Sequence, residues 1–244
     1  MAGIQSERQE KGLVDAINKA VKENQNNPVT LIAGKETIEG VTGAEKFSGR
    51  QLGGAEPYTD VVIYLKNGQK YNLSCKGESA PSLAGGGLRG IEIAVPGLGK
   101  KFMKQAYYAA VNKLKLRPGD PVPNMFGSIT LRDTVKIVVG TTSMGGPIDY
   151  MYIGPMNVMS QYDAKTNVLT LNGKLFESYA YAKSHKLYLR LRARREDQRF
   201  DPDDKDNTGS PRIYGRSPSK KDLGGRIVLV DEKDVPNSAI IVRV

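Results

Sequence analysis

The chain has 244 residues, with 36 Lys and Arg against 26 Asp and Glu for a formal charge of +10, and it carries one cysteine and one histidine. That length supports one substantial core with a smaller annex, and the charge favours a polyanionic partner. Cys75 and His185, each the sole residue of its type, exclude a disulfide framework, a cysteine-based zinc site and any centre built on two or three histidines. No early apolar stretch resembles a signal peptide, and no run approaches the roughly 18 apolar residues of a membrane span. The expectation is therefore no membrane association and a reducing, cytoplasmic setting.

In chain order, Ser6 with Gln9 fits a capping box, and Leu13, Val14, Ile17, Ala20 and Val21 recur at helical spacing up to the Asn-rich stretch at 24–27. Glu10 lies one turn before Leu13 and Val14, beside the apolar stripe; as a first-turn acid it would also suit the helix dipole. Residues 29–33 predict a short strand, and 35–57 an irregular Gly-rich connection.

Residues 59–78 predict a hairpin turning at Lys66-Asn67-Gly68. A two-residue Asn-Gly turn would mix polar and apolar residues on both faces. A three-residue loop with Gly68 at positive φ instead sets Asp60 opposite Ser74 and gathers Thr59, Val61, Ile63, Leu65, Tyr71, Leu73 and Cys75 on one face. The other face then carries Asp60, Ser74, Lys76 and, if the strand continues, Glu78. A carboxylate and a lysine on adjacent strands suit phosphodiester chemistry, and any half-solvated hairpin can show the same pattern. Cys75, on the apolar face, reads as a small buried hydrophobe.

Beyond the hairpin, 79–90 is expected as loop, 91–95 as a short strand, 100–116 as an amphipathic helix and 134–139 as a buried strand. Gly85-Gly86-Gly87 beside Arg89 fits either backbone contact with a phosphate or a plain connector, and Lys100 and Lys101 stand ready for a nucleic-acid backbone.

From the first helix to about residue 140 the expected order is helix, three strands, helix, strand. With that order and the hairpin residues, the chain resembles the PD-(D/E)XK nuclease superfamily. The resemblance implies an α/β, restriction-endonuclease-like core with a central mixed sheet flanked by helices over 1–147, followed by a basic β-rich extension over 148–244. Carried across, Asp60 matches the acid that begins the second core strand, Lys76 the lysine of the third, and Glu10 the acid of the first helix. Ser74 stands at the second acidic position, a departure from the pattern, and Glu78 or Glu92 would replace the missing carboxylate, Glu78 being preferred. The implied activity is Mg²⁺- or Mn²⁺-dependent cleavage of DNA, with Asp60, Glu78, the Cys75 carbonyl and Glu10 around the ion and Lys76 assisting the attacking water. Duplex-cutting members are often dimers, so a homodimer is an expectation, and phage origin would suit so compact a nuclease. The competing expectation is a DNA-binding or virion-associated protein that keeps the fold without the chemistry.

In the distal half, 149–152, 168–171 and 185–194 predict strands, with a helix at 176–183. Along 185–194 Leu187, Leu189 and Leu191 alternate with Tyr188, Arg190, Arg192 and Arg194, giving a half-buried strand whose cationic face suits either a DNA backbone or a solvated edge. The Asp-rich stretch after 196 lacks the spacing and closing Glu of an EF-hand and reads as surface loop. Residues 226–231 and 239–244 predict two closing strands.

Overall fold

The computed structural model describes residues 2–48, 57–78, 87–192, 200 and 226–244, and the chain divides into two compact units, 1–82 with 138–184 and 83–137 with 185–244. In the first unit, α1 (Ala2–Glu23) leads to β1 (Val29–Ala33), β2 (Glu36–Lys46), β3 (Val61–Leu65) and β4 (Lys70–Gly77). The second unit then receives α2 (Gly87–Ala94), α3 (Leu98–Tyr108) with a π-helical continuation at Ala109–Lys113, β5 (Met125–Ser128) and most of α4 (Leu131–Val139). The chain returns to the first unit for β6 (Tyr150–Gly154), β7 (Ser160–Asp163), β8 (Val168–Leu171), β9 (Lys174–Glu177) and α5 (Ser178–Ser184), and finishes in the second with β10 (Leu187–Arg192), β11 (Arg226–Asp231) and β12 (Ile240–Arg243). The fold is thus mixed α and β. Among the described residues no helix is long and apolar enough to cross a membrane.

The first unit is built on an eight-stranded mixed sheet in the order β7-β8-β1-β2-β3-β4-β6-β9. Strands β1 to β4 form an antiparallel meander, flanked by the parallel pairs β1 with β8 and β4 with β6. Leu13, Ile17, Ala20 and Val21 of α1, at i, i+4, i+7 and i+8, bury one stripe against Leu31, Val41, Ile63, Leu73, Tyr152 and Leu169 of the sheet. Gln25 and Asn26, at φ 55° and 62°, end the helix in the left-handed region. Since α1 starts at Ala2, Ser6 lies inside it and is no N-cap, and Glu10 lies beyond the first turn.

Three expectations are corrected here. The connection expected as irregular contains the eleven-residue strand β2, whose buried Ile38, Val41 and Ala44 fall three apart because bulges interrupt its pairing and Gly40 takes φ 72°. The β-branched run expected as a strand at 134–139 is helical. Thr130 and Asp133 start that helix reciprocally, the Asp133 N–H donating to Thr130 Oγ1 at 3.1 Å and the Thr130 hydroxyl to Asp133 Oδ2 at 2.7 Å. Residues 91–95, expected extended, lie largely in α2.

The division into units also differs from the expected boundary at 147. Parallel partners β6 and β8 lie far along the chain from β4 and β1, so residues assigned to an extension complete the first unit's sheet.

The second unit has a four-stranded sheet, β11-β10-β5-β12. Leu187, Leu189 and Leu191 of β10 are buried on one face as expected. The other face is covered as well: Tyr188 clusters with Phe126, Val228 and Val230, and Val235 and Ala239 pack against them.

Candidate active site

Four strand termini converge at one end of the large sheet: Lys46 ends β2 opposite Val61 at the start of β3, and Lys76 and Gly77 of β4 pair with Ile153 and Gly154 of β6. Asp60 immediately precedes β3. Its main chain is held on both sides, its N–H donating to the Leu73 carbonyl at 2.8 Å and its carbonyl accepting from Phe47 N–H at 3.0 Å.

The hairpin adopts the three-residue loop, with Gly68 at φ 81°, and Val61 pairs with Leu73, which sets Asp60 opposite Ser74. Asp60 Oδ2 accepts from Cys75 N–H at 2.6 Å and from the Ser74 hydroxyl at 3.1 Å. Ser74, where the resembled family carries an acid, here orients an acid. The N–H and C=O of a strand residue point the same way, so the Cys75 carbonyl is also directed toward the Asp60 side of β4.

Glu10 reaches this end of the sheet from α1. It is 9 % exposed, and its Oε2 lies 2.9 Å from Lys46 Nζ. Burial raises the Glu10 carboxyl above its ordinary value and outweighs the opposing pull of Lys46, with the negative charge of Asp60 adding to the rise. The Lys46 ammonium is held above its usual value chiefly by the hydrogen bond to Glu10. Cys75, half-buried, packs against the core cluster that includes α1; burial pushes the thiol well up, Asp60 adds to the rise and Lys76 opposes it. This setting disfavours the thiolate, the reactive form of a cysteine. By strand alternation Ser74 and Lys76 lie on the face opposite Cys75, so Glu10 and Lys76 approach the sheet end from opposite faces with Asp60 between them.

Two groups essential to this geometry had no such role in the sequence reading. Gln9, only 2 % exposed, donates its side-chain amide to the carbonyls of Gly154 at 2.8 Å, Lys76 at 3.1 Å and Pro155 at 3.3 Å, clamping the ends of β4 and β6. Lys46 sits at the end of a strand that alternation did not reveal. In the sequence Gln9 read only as the closing residue of the Ser6 capping box.

The two substitute carboxylates are differently placed. Glu78 is exposed just past β4, its N–H donating to the Gly154 carbonyl at 3.1 Å, and its charge bears on the Tyr152 phenol, which burial chiefly pushes up to about 12. Glu92 belongs to the second unit, where it caps α3 by accepting from Gly97 N–H at 2.8 Å and Lys100 N–H at 2.6 Å.

Among the described residues no group of three or more His, Cys, Asp or Glu side chains gathers closely enough to hold a metal. What the site offers is the Asp60 and Glu10 carboxylates and a main-chain carbonyl, all oxygen donors. Magnesium is commonly held by one or two carboxylates, with water and substrate phosphate completing its shell, so this set fits an ion shared with substrate and does not fit a preformed cage.

The residues expected at a DNA surface belong to the second unit. Lys100 and Lys101 are exposed on α3. Tyr188 corrects its expectation: at 7 % exposure, with its hydroxyl donating to Glu232 Oε1 at 3.2 Å, it has no free ring face for stacking. Arg190 lies over the Phe126 ring, 5.9 Å from its centroid, with a buried and unpartnered Nε, so it belongs to the covered face of β10. The side chains of Arg89 and Arg192, and all of Arg194, lie outside the described residues.

Comparisons with protein-family models, with curated proteins and with solved structures returned no match to this chain.

Proposed function

We propose that the first unit is a PD-(D/E)XK-type, restriction-endonuclease-like core that cleaves DNA with the help of Mg²⁺ or Mn²⁺. The observation that carries this reading is Asp60: the hairpin register sets it opposite Ser74, two residues before Lys76, and within hydrogen-bond reach of the Cys75 amide, with Glu10 arriving from α1. Within the first unit α1, β1 to β4 and then β6 follow in the chain, with β4 and β6 parallel, and this supports it as well.

Asp60 and Glu10 would hold the ion with the Cys75 carbonyl, and the ion supplies polarisation of a phosphoryl oxygen and a more acidic water. Ser74 keeps the Asp60 carboxylate turned toward β4. Lys76, its strand end fixed by Gln9, orients the attacking water and stabilises charge developing at phosphorus. Lys46 neutralises Glu10 in the absence of substrate and offers a second cation to a phosphate. The test is cleavage of supercoiled plasmid with Mg²⁺, Mn²⁺ or EDTA, for the parent and for Asp60→Ala and Lys76→Ala. Metal-dependent nicking that falls on the order of 10² or more in both variants is expected; near-normal activity of Lys76→Ala would overturn the assignment.

A second reading, a DNA-binding protein on the same fold without cleavage, is favoured by Ser74 in place of an acid and by the Glu10–Lys46 ion pair, which occupies one of the two carboxylates. It requires DNA to remain intact under every metal while salt-sensitive binding persists.

A further inference from the structure

The exposed face of α3 and its π-helical continuation carries charge and an aromatic ring that the site above does not use. Between Glu92 and Asp120 the chain has no acidic residue, yet it carries Lys100, Lys101, Lys104, Lys113, Lys115 and Arg117. All six are exposed, and among the described residues none of them is in an ion pair. The two flanking acids are spent on main-chain N–H groups, Glu92 on those of Gly97 and Lys100 and Asp120 on that of Arg117. A helix face that is merely solvated usually mixes charge signs at spacings of three and four, which lowers its own repulsion; this face does not.

Tyr108 stands in the middle of the cations. Lys101, Lys104 and Tyr108, three and four residues apart, share one stripe. The π turn at Ala109–Lys113, with its i→i+5 geometry, sets Lys113 one turn beyond Tyr108. Tyr108 is 56 % exposed, whereas its neighbour Tyr107 is half-buried with its ring 6.0 Å from that of Phe200. The helix thus has a use for one tyrosine in packing and leaves the other to solvent between lysines.

We infer that this face is a docking surface for single-stranded DNA, with Lys101, Lys104 and Lys113 following the phosphates and Tyr108 stacking on an unpaired base. Unbroken positive charge complements a polyanion, and an exposed ring between cations is the stacking platform that single strands use. A duplex hides its base faces, so it would engage the lysines and leave the ring idle. The inference rests on the reading that the chain handles DNA, but not on cleavage.

The test is fluorescence anisotropy of a labelled oligo(dT) and of a labelled hairpin duplex in EDTA across a salt series. The parent, Tyr108→Ala and the combined Lys101→Ala, Lys104→Ala, Lys113→Ala variant are compared, with circular dichroism melts verifying folding at these exposed positions. Tyr108→Ala should bind oligo(dT) on the order of tenfold more weakly and the duplex unchanged. The lysine variant should lose affinity for both and flatten the oligo(dT) log–log salt slope by about 0.7 per lysine. Parent-like oligo(dT) binding by Tyr108→Ala, equal losses on both probes, or an unchanged salt slope would overturn the inference. Because no metal is present, binding through this face by a protein that never cleaves refutes the nuclease reading alone; cleavage by a protein whose oligo(dT) affinity ignores Tyr108 refutes this inference alone.

Discussion

Replacing Gln9 by leucine keeps nearly the same volume and removes the donor that ties β4 to β6 at the candidate site. A side-chain amide has two N–H donors, so the bonds to Gly154 at 2.8 Å and Lys76 at 3.1 Å are the main ones and Pro155 at 3.3 Å shares. The Gly154 carbonyl is buried but keeps the bond from Glu78 N–H at 3.1 Å, so losing the one from Gln9 costs about 0.5–1.5 kcal/mol. The Lys76 carbonyl is half-buried, where water substitutes, and adds about 0.5–1 kcal/mol. The total of roughly 1–2.5 kcal/mol corresponds to a fall in Tm of roughly 2–10 °C for a chain of this size. The assay is thermal and urea denaturation of Gln9→Leu beside Gln9→Glu. An ionised carboxylate at this position faces three carbonyls with no proton to give, so burial and the acceptors would raise its folded-state pKa above the unfolded value. The Glu variant should therefore be more stable at pH 5, where it donates like the amide, and lose that stability as pH rises through the raised value. A Gln9→Leu melt indistinguishable from the parent's, or a Gln9→Glu variant indifferent to pH, would refute the clamp.

Other expectations follow from the same geometry. Burial holds the Glu10 carboxyl above the ordinary 4.5, so its favourable contribution is full below that value and is lost as pH rises through the raised one. Lys46→Met removes the opposing cation and should enlarge the loss of stability between acid and neutral pH; parallel pH profiles for variant and parent would contradict the pairing. A Cβ on Gly173 would lie 2.4 Å from ring atoms of Tyr152, a residue with 0 % exposure, so Gly173→Ala should cost about 1–3 kcal/mol, read as a lower urea midpoint.

What the sequence revealed depended on whether a single local signal governed each element. The hairpin register was legible because only one loop length put Val61, Ile63, Leu65, Tyr71 and Leu73 on a common face, and burial enforces that choice. Strand β2 was not, because its bulges turned a two-residue period into a three-residue one. In α4 the run TVKIVV has the composition of a strand, yet the Thr130–Asp133 cap ahead of it starts a helix that tertiary packing then keeps. For β10 the alternation was read correctly and its meaning was not. Alternation separates two faces, but whether the second meets solvent or another layer is decided by Phe126, Val228 and Val230 from elsewhere in the chain. The same limit hid the site's supports: Asp60 and Lys76 lie on neighbouring strands of one hairpin, whereas Gln9 finds its acceptors 67 and 145 residues away.

The connectivity of the large sheet imposes a schedule on the ribosome. Its central meander, β1 to β4, is contiguous and is complete once Gly77 has been made, but β4 waits for β6, which begins at Tyr150, and β1 waits for β8, which begins at Val168. At about 5–20 residues per second, translation of the stretch between β4 and β6 takes roughly 4–15 s. Throughout that interval both flanks of the nascent meander present unpaired main-chain groups, the condition in which strands recruit neighbouring chains. Slow codons between residues 78 and 149 would lengthen that exposure and favour aggregation during synthesis, whereas the same codons placed after residue 184 would not, because every strand of the large sheet has been made by then.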